Sequence, residues 1–388
     1  MNASRRGLSP LLTIYLVSFF FTLHAAIPVY INSSFLATLI SEKYVGLLYG
    51  SASLLTIFAL VLIPKLLRFI GDYFATLLFI ILEISALIGI SASESTPLTI
   101  ALFIISSILI SLIAFDFDLI VEGFSKNTLT GSIRGLYLTS ANVAWVAAPF
   151  LASILLGGAR YWLIYLVSGA ILIPGLLIFA GRLEQFKDPL YRTIHFTKTL
   201  FSVWNNRNLR GIFFLSFLLQ FFFTLMVIYT PIYLHDHIGF EWSELGPIFS
   251  IMLIPFLLLE APLGRIADKY LGEQELLIAG FSIMALATGA MYFITTHSFL
   301  LWAGVLFLTR VGAAMVEVMA ETYFFKKVDG GDASIVGLNR TVRPFAGVLG
   351  PLLASGLLIF ISLPSLFLAL GGLMLFGIPL ALALKDTR

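Results

Sequence analysis

The stretch GLYLTSANVAWVAAPFLASILL, residues 135–156, returns 202 residues later as GLNRTVRPFAGVLGPLLASGLL, residues 337–358, with 11 identities in 22 ungapped positions. A second pair keeps the same offset: FFFTL stands at 19–23 and again at 221–225. Two matches at one spacing mark an internal duplication. Both copies are apolar, so the repeated unit is a set of hydrophobic helices, and the rest of the chain bears this out.

Of 388 residues, 59% are hydrophobic and only 11% are charged, and the mean hydropathy is +1.01. No soluble globular domain of this size has that balance. A bilayer-spanning helix needs about 20 mostly apolar residues, and such windows centre near residues 20, 53, 83, 110, 145, 171, 221, 252, 285, 311, 347 and 374. The first window, Leu8 to Ile31, is too long for a cleavable signal and is followed by further spans. The longest polar stretch, Arg182 to Arg210, is basic and separates the sixth window from the seventh. The expected organisation is therefore a six-helix bundle at 1–182, a cytoplasmic linker at 183–208 and a second six-helix bundle at 209–388.

Lys and Arg collect on the cytoplasmic face of membrane proteins. With twelve spans and the N-terminus inside, 19 of the 23 Lys and Arg fall on that face. Only Lys43 and Arg160 fall outside, and Arg310 and Arg343 lie within spans. Both termini are expected in the cytoplasm, and the protein in the plasma membrane, meaning the cytoplasmic membrane of a bacterium or archaeon. The chain has no cysteine, which excludes disulfides and thiolate metal sites. HDH at 235–237 is expected in a short extracellular loop with no second cluster beside it, which makes a poor metal site, and neither metal nor cofactor is expected.

Two six-helix halves joined by a basic loop resemble the major facilitator superfamily of secondary transporters, and local motifs carry the resemblance further. PLGRIADKYLGEQEL, after the eighth window, is similar to the family's loop signature G-x-x-x-D-(R/K)-x-G through Gly264, Asp268, Lys269 and, one residue late, Gly272. The matching loop of the first half, PKLLRFIGDYF, departs from it, with Pro64 and Arg68 where Gly and Asp are usual. Ala148-Pro149 and Gly350-Pro351, followed by Ala152-Ser153 and Ala354-Ser355, look like degraded copies of a pattern associated with antiporters. Read physically, the small residues let helices approach closely and the prolines bend them.

Carboxylates interrupt the apolar spans twice, in FDFDLIVEGF (115–124) and MVEVMAETYF (315–324). A charge inside a bilayer is costly, so each such acid is a functional candidate. Asp118 and Glu122, like Glu317 and Glu321, are spaced i, i+4 and share a helix face. Glu122 and Glu321 fall near the cytoplasmic mouth, each followed by a short loop and arginines: Arg134 in the first half, Arg340 and Arg343 in the second. The resemblance implies a cytoplasmic gate made of these residues, to which Gly264, Asp268 and Lys269 add the loop signature. Asp118 and Glu317 lie deeper, about 10 Å to the cytoplasmic side of mid-membrane, with Arg310 seven residues before Glu317 on the same face. These are expected to form either a neutralised structural network or a proton- and substrate-handling set, to which His24 in the first span, Glu83 at the centre of the third and Asp116, which must point away from Asp118, are added as candidates. Glu83 is expected either to be protonated and hydrogen-bonded or to pair with a cation the sequence does not identify.

Intramembrane amides are few and phenylalanines many, 36 in all, which suits an amphipathic substrate better than a sugar. The expected function is proton-coupled antiport exporting an amphipathic, drug-like molecule by alternating access. The alternative is proton- or sodium-coupled symport of a small anionic nutrient with Arg310 as anchor. A non-transporting membrane sensor or a membrane-embedded enzyme is a more distant reading, since no soluble domain and no hydrolase, zincin or P-loop motif is present. Expected partners are the bilayer, a small-molecule substrate and the coupling ion; the chain is expected to act as a monomer and to bind no nucleic acid.

Overall fold

A computed structural model describes residues 10–124, 130–156, 160–182, 196–269, 271–328, 335, 338–339 and 341–385. Among them every regular element is helical. The helices are α1 (Pro10–Val29), α2 (Asn32–Leu39), α3 (Glu42–Ile70), α4 (Asp72–Ala92), α5 (Thr96–Phe124), α6 (Thr130–Leu155), α7 (Tyr161–Arg182) and α8 (Phe196–Asn205). They continue with α9 (Arg207–Ile232), α10 (Trp242–Lys269), α11 (Glu273–Ala290), α12 (Phe299–Lys327), α13 (Val342–Leu357), α14 (Leu363–Leu375) and α15 (Gly377–Leu382). Each of the twelve apolar windows centres on one of these helices. Among the described residues nine spans are long and apolar enough to cross a bilayer, a tenth is the broken pair α1–α2, and Ser140–Leu155 and Val342–Leu357 are shorter apolar helices.

Local chemistry sets the breaks. Pro28, near the end of α1, has no N–H to continue the ladder. Gly71 separates α3 from α4 with φ 77, a conformation nearly closed to residues with a Cβ. Asn206 caps α9, its side-chain oxygen accepting from the N–H groups of Asn208 and Leu209. The HDH triplet is no loop: Tyr233–His237 forms a π-helical turn that carries α9 onward, and Gly239 (φ 89) ends it.

The chain divides into two compact units, residues 1–29 with 55–191, and residues 30–54 with 192–388. In the first, α1 packs on α6 and α7, and α4 on α5 and α7. Its core joins Val17, Phe21, Leu67, Phe79, Ile113, Phe117, Leu172 and Phe179, with Phe21 edge-on to Phe117 at 5.0 Å. In the second, α11 and α10 pack on α12, α9 packs on α13, and α2 lies on α9. Two crossings there leave no room for a side chain. A Cβ on Gly312 would stand 2.6 Å from the Gly280 carbonyl oxygen, and one on Gly280 would stand 2.8 Å from that of Gly312. A Cβ on Gly46, near the start of α3, would meet the Tyr229 hydroxyl and the Ser355 Oγ, each at 2.4 Å. This is how helices associate where lipid supplies no hydrophobic drive. Phe58, Val61, Phe69, Phe201, Leu286 and Leu300 are all more than half exposed, as side chains facing lipid would be.

Candidate functional site

His24 follows FFFTL on α1, Glu83 sits at the middle of α4, and Ser106 faces them from α5. His24 Nε2 is 3.7 Å from Glu83 Oε1 and both side chains are fully buried. The Ser106 hydroxyl donates to the same carboxylate oxygen at 2.7 Å. His24 Nδ1 hydrogen-bonds the Phe21 carbonyl, which requires a proton on Nδ1 because a carbonyl only accepts. Nε2 therefore faces Glu83 either bare or protonated. A bare Nε2 opposite an ionised carboxylate would set lone pair against negative charge in a buried site. One more proton, on Nε2 or on the carboxyl, relieves that repulsion. Neither Nε2 nor Glu83 Oε2 has another hydrogen-bond partner among the described residues. The side chain that faces Glu83, which the sequence did not identify, is this histidine.

A second buried acid lies in the same unit. Asp116, on α5, is fully buried and accepts from the Thr76 hydroxyl at 3.0 Å. Asp72, the first residue of α4, is also fully buried and close enough to repel it. Asp116 thus points toward α4.

In the other unit Arg310, on α12, is 1% exposed. Its guanidinium carbon stands 5.3 Å from the Phe222 ring centroid and 5.5 Å from that of Phe223, so the duplicated FFFTL segment gives the charge two aromatic faces. Each such contact is worth roughly 0.5–2 kcal/mol. The Tyr30 hydroxyl hydrogen-bonds the guanidinium and half-buried Glu317 attracts it. Tyr30 in turn stacks on Phe249 at 5.0 Å. Nε and Nη1 of Arg310 have no hydrogen-bond partner among the described residues, and buried donors of this kind normally find one. The three N–H groups on those two nitrogens, beside two aromatic rings, suit an acceptor-bearing or anionic ligand.

The other candidates are either outside the described residues or exposed. The side chains of Asp118, Glu122, Arg134, Asp268 and Lys269 lie outside the described residues, as do the surroundings of Gly264 and the whole of Arg340. Glu321 is exposed near the end of α12 and Arg343 is exposed in the first turn of α13. Nearby, Lys326 and Glu273 form an ion pair that ties the end of α12 to the start of α11. At the opposite end of α9, His237 pairs with Glu42 at 3.1 Å. Among the described residues no three His, Asp or Glu are placed to hold a metal ion.

Ser106, Thr76, Asp72 and Tyr30 escaped sequence reading. A Ser or Thr in an apolar helix usually bonds its own backbone, as Ser107 does to Phe103, so only the neighbouring helix shows which hydroxyl serves an acid. Asp72 looked like a loop residue beside Gly71.

The Major Facilitator Superfamily model matches residues 8–351. No curated protein matches by sequence. A crystal structure of a mutant of nucleoside transporter NupG superposes with a TM-score of 0.79 at 13% identity, over 97% of this chain and 100% of that one. A second structure of nucleoside transporter NupG gives 0.76 at 14% identity, over 97% and 98%. At those identities the likeness is one of fold. The family match spans nearly the whole chain, and the chain therefore belongs to the Major Facilitator Superfamily, as an integral membrane transporter and not an enzyme.

Proposed function

We propose that the protein is a proton-coupled secondary transporter working by alternating access, in which the His24–Glu83–Ser106 cluster takes up and releases the coupling proton. The observation that carries this reading is a fully buried histidine facing a fully buried glutamate across α1 and α4. The pair is electrically neutral with one shared proton and charged without it, so losing the proton costs several kcal/mol unless the site opens to water. Proton release is thereby tied to a change in access, which is the requirement for coupling. Ser106 holds the carboxylate oxygen in place whichever partner has the proton.

Arg310, with Phe222, Phe223 and Tyr30, supplies the substrate end: the N–H donors of Nε and Nη1, without a partner among the described residues, stand by aromatic faces and suit an amphipathic or aromatic molecule with an acceptor group. Asp118, Glu317 and Asp116 are assigned further steps of proton passage, and Glu122, Glu321, Arg134, Arg340, Arg343 and the Gly264–Lys269 loop the closing of the basic, cytoplasmic side. Export by antiport is the first reading of direction, resting on the scarcity of intramembrane amides and the antiporter-like Pro and small-residue pattern. Symport is the second, favoured by the Arg310 donors and by the full-length likeness to a nucleoside transporter.

The test uses purified protein in sealed vesicles with an imposed pH step and two substrate panels, nucleosides and aromatic amphiphiles. A substrate that accumulates on the acid side of the membrane, against its own gradient, supports antiport. Accumulation on the alkaline side supports symport, and accumulation unaffected by the pH step refutes proton coupling.

A further inference from the structure

A membrane-contact site stands apart from both buried clusters, at the corner between α8 and α9. Asn206 closes α8 and caps α9, and α9 opens the apolar span Arg207–His237. The ten-residue α8 therefore ends where the chain enters the bilayer. Val203, 4% exposed, anchors α8 to the protein, whereas Leu200, Phe201 and Trp204 are 46%, 72% and 55% exposed. These three lie within one turn, so they form a single apolar face. That face does not end at the helix. The Trp204 ring lies 6.2 Å from Phe214 on α9, edge to face, and Phe214 is itself 43% exposed on a membrane span. The apolar face of α8 thus meets an exposed aromatic side chain on the span that α9 opens.

Cationic groups gather at the same corner. Arg210 donates from Nη1 to the Trp204 carbonyl at 3.3 Å, and its guanidinium carbon stands 5.7 Å from the Trp204 ring centroid. Arg207, three residues before it and close on the helix surface, is exposed. A tryptophan and two arginines around an apolar face are the combination that settles at the boundary between headgroups and acyl chains.

We infer that the α8–α9 corner is a binding site for anionic phospholipid: α8 lies in the plane of the membrane surface with Leu200, Phe201 and Trp204 among the upper acyl chains, and Arg207 and Arg210 bind the headgroup phosphate. Charge complementarity and contact with the exposed Phe214 on the span that α9 opens select a lipid leaflet as the occupant. The linker between the two halves of the chain is then held to the membrane by lipid as well as by its own covalent ends. The inference rests on membrane insertion, not on the direction or ion of transport.

The absence of cysteine makes the test direct. Phe201→Cys in the full chain, spin-labelled and reconstituted into vesicles of phosphatidylcholine with or without phosphatidylglycerol, reports depth through relaxation by oxygen and by a water-soluble nickel chelate. The expected result is a label shielded from nickel and accessible to oxygen. A label as open to nickel as one on a water-exposed loop, in both compositions, overturns the inference. As a second readout, lipid co-purifying with the wild type is compared with that of Arg207→Gln/Arg210→Gln. Each arginine is expected to contribute roughly five-fold to enrichment of phosphatidylglycerol over phosphatidylcholine, lost in the double variant and weakened by salt. Equal enrichment in wild type and double variant overturns the headgroup assignment, and retained binding of free glycerol phosphate without membrane insertion overturns the lipid one.

Discussion

Replacing Glu83 by Gln removes the exchangeable proton while keeping side-chain volume and an oxygen for the Ser106 hydroxyl 2.7 Å away. Packing around the site, all of it buried, should survive. The thermodynamic consequence is well defined. One proton moved per cycle down a step of one pH unit supplies about 1.4 kcal/mol, which sustains a ten-fold substrate gradient. In Glu83→Gln that ratio should fall to one, because the amide has no proton to lose. Exchange of labelled for unlabelled substrate needs no net proton movement and should persist at a rate near that of wild type. His24→Gln should behave alike, since it removes the partner 3.7 Å from the acid. Glu83→Ala serves as the structural control: it orphans the Ser106 hydroxyl and His24 Nε2 and should cost about 1–3 kcal/mol of stability, seen as a lower unfolding temperature in detergent. The assay is accumulation and counterflow in the same vesicle preparation, with a dye reporting internal pH. A Glu83→Gln protein that still builds the ten-fold gradient, with wild-type dependence on the pH step, refutes the coupling role. Loss of counterflow together with accumulation would assign Glu83 to substrate binding or folding instead.

Other substitutions follow from particular contacts. Gly312→Ala sets a Cβ 2.6 Å from the Gly280 carbonyl, and because backbone cannot step aside it should cost about 1–3 kcal/mol in thermal unfolding; Gly304→Ala, with nothing within 4 Å, should be near neutral. Thr76→Val removes the hydroxyl donated to Asp116 and should destabilise by about 1–3 kcal/mol, with Thr76→Ser restoring most of it. Arg310→Lys keeps the charge but loses the planar fork and its stacking on Phe222 and Phe223, so substrate binding should weaken roughly ten- to hundred-fold. Unchanged affinity with reduced stability would make Arg310 purely structural.

The fold was legible because a bilayer reduces it to a count. Each span must be a continuous apolar run to satisfy its own backbone in hydrocarbon, so each of the twelve hydropathy windows falls on a helix, whereas the two compact units group residues 30–54 with 192–388, which the repeat at 135–156 and 337–358 did not foretell. The same constraint drew attention to Glu83, His24, Asp116 and Arg310, since a charge in such a run needs an explanation. Which charge meets which was not legible. His24 and Glu83 are separated by 59 residues of sequence, and no periodicity within α1 or α4 reveals that the two helices turn these side chains toward each other. Ser106 and Thr76 carried no signal at all, because an isolated hydroxyl in an apolar helix looks the same whether it bonds its own backbone or a neighbour's acid. The HDH triplet misled for a related reason: short polar runs between spans resemble loops, and only the continued hydrogen bonding of α9 showed a π-helical turn. Composition decided where the helices run, since lipid acts on each segment separately. Partnership between polar groups was decided by tertiary packing, because it depends on the rotation of one helix against another, and that is fixed by contacts such as Gly280 on Gly312 that no single segment contains.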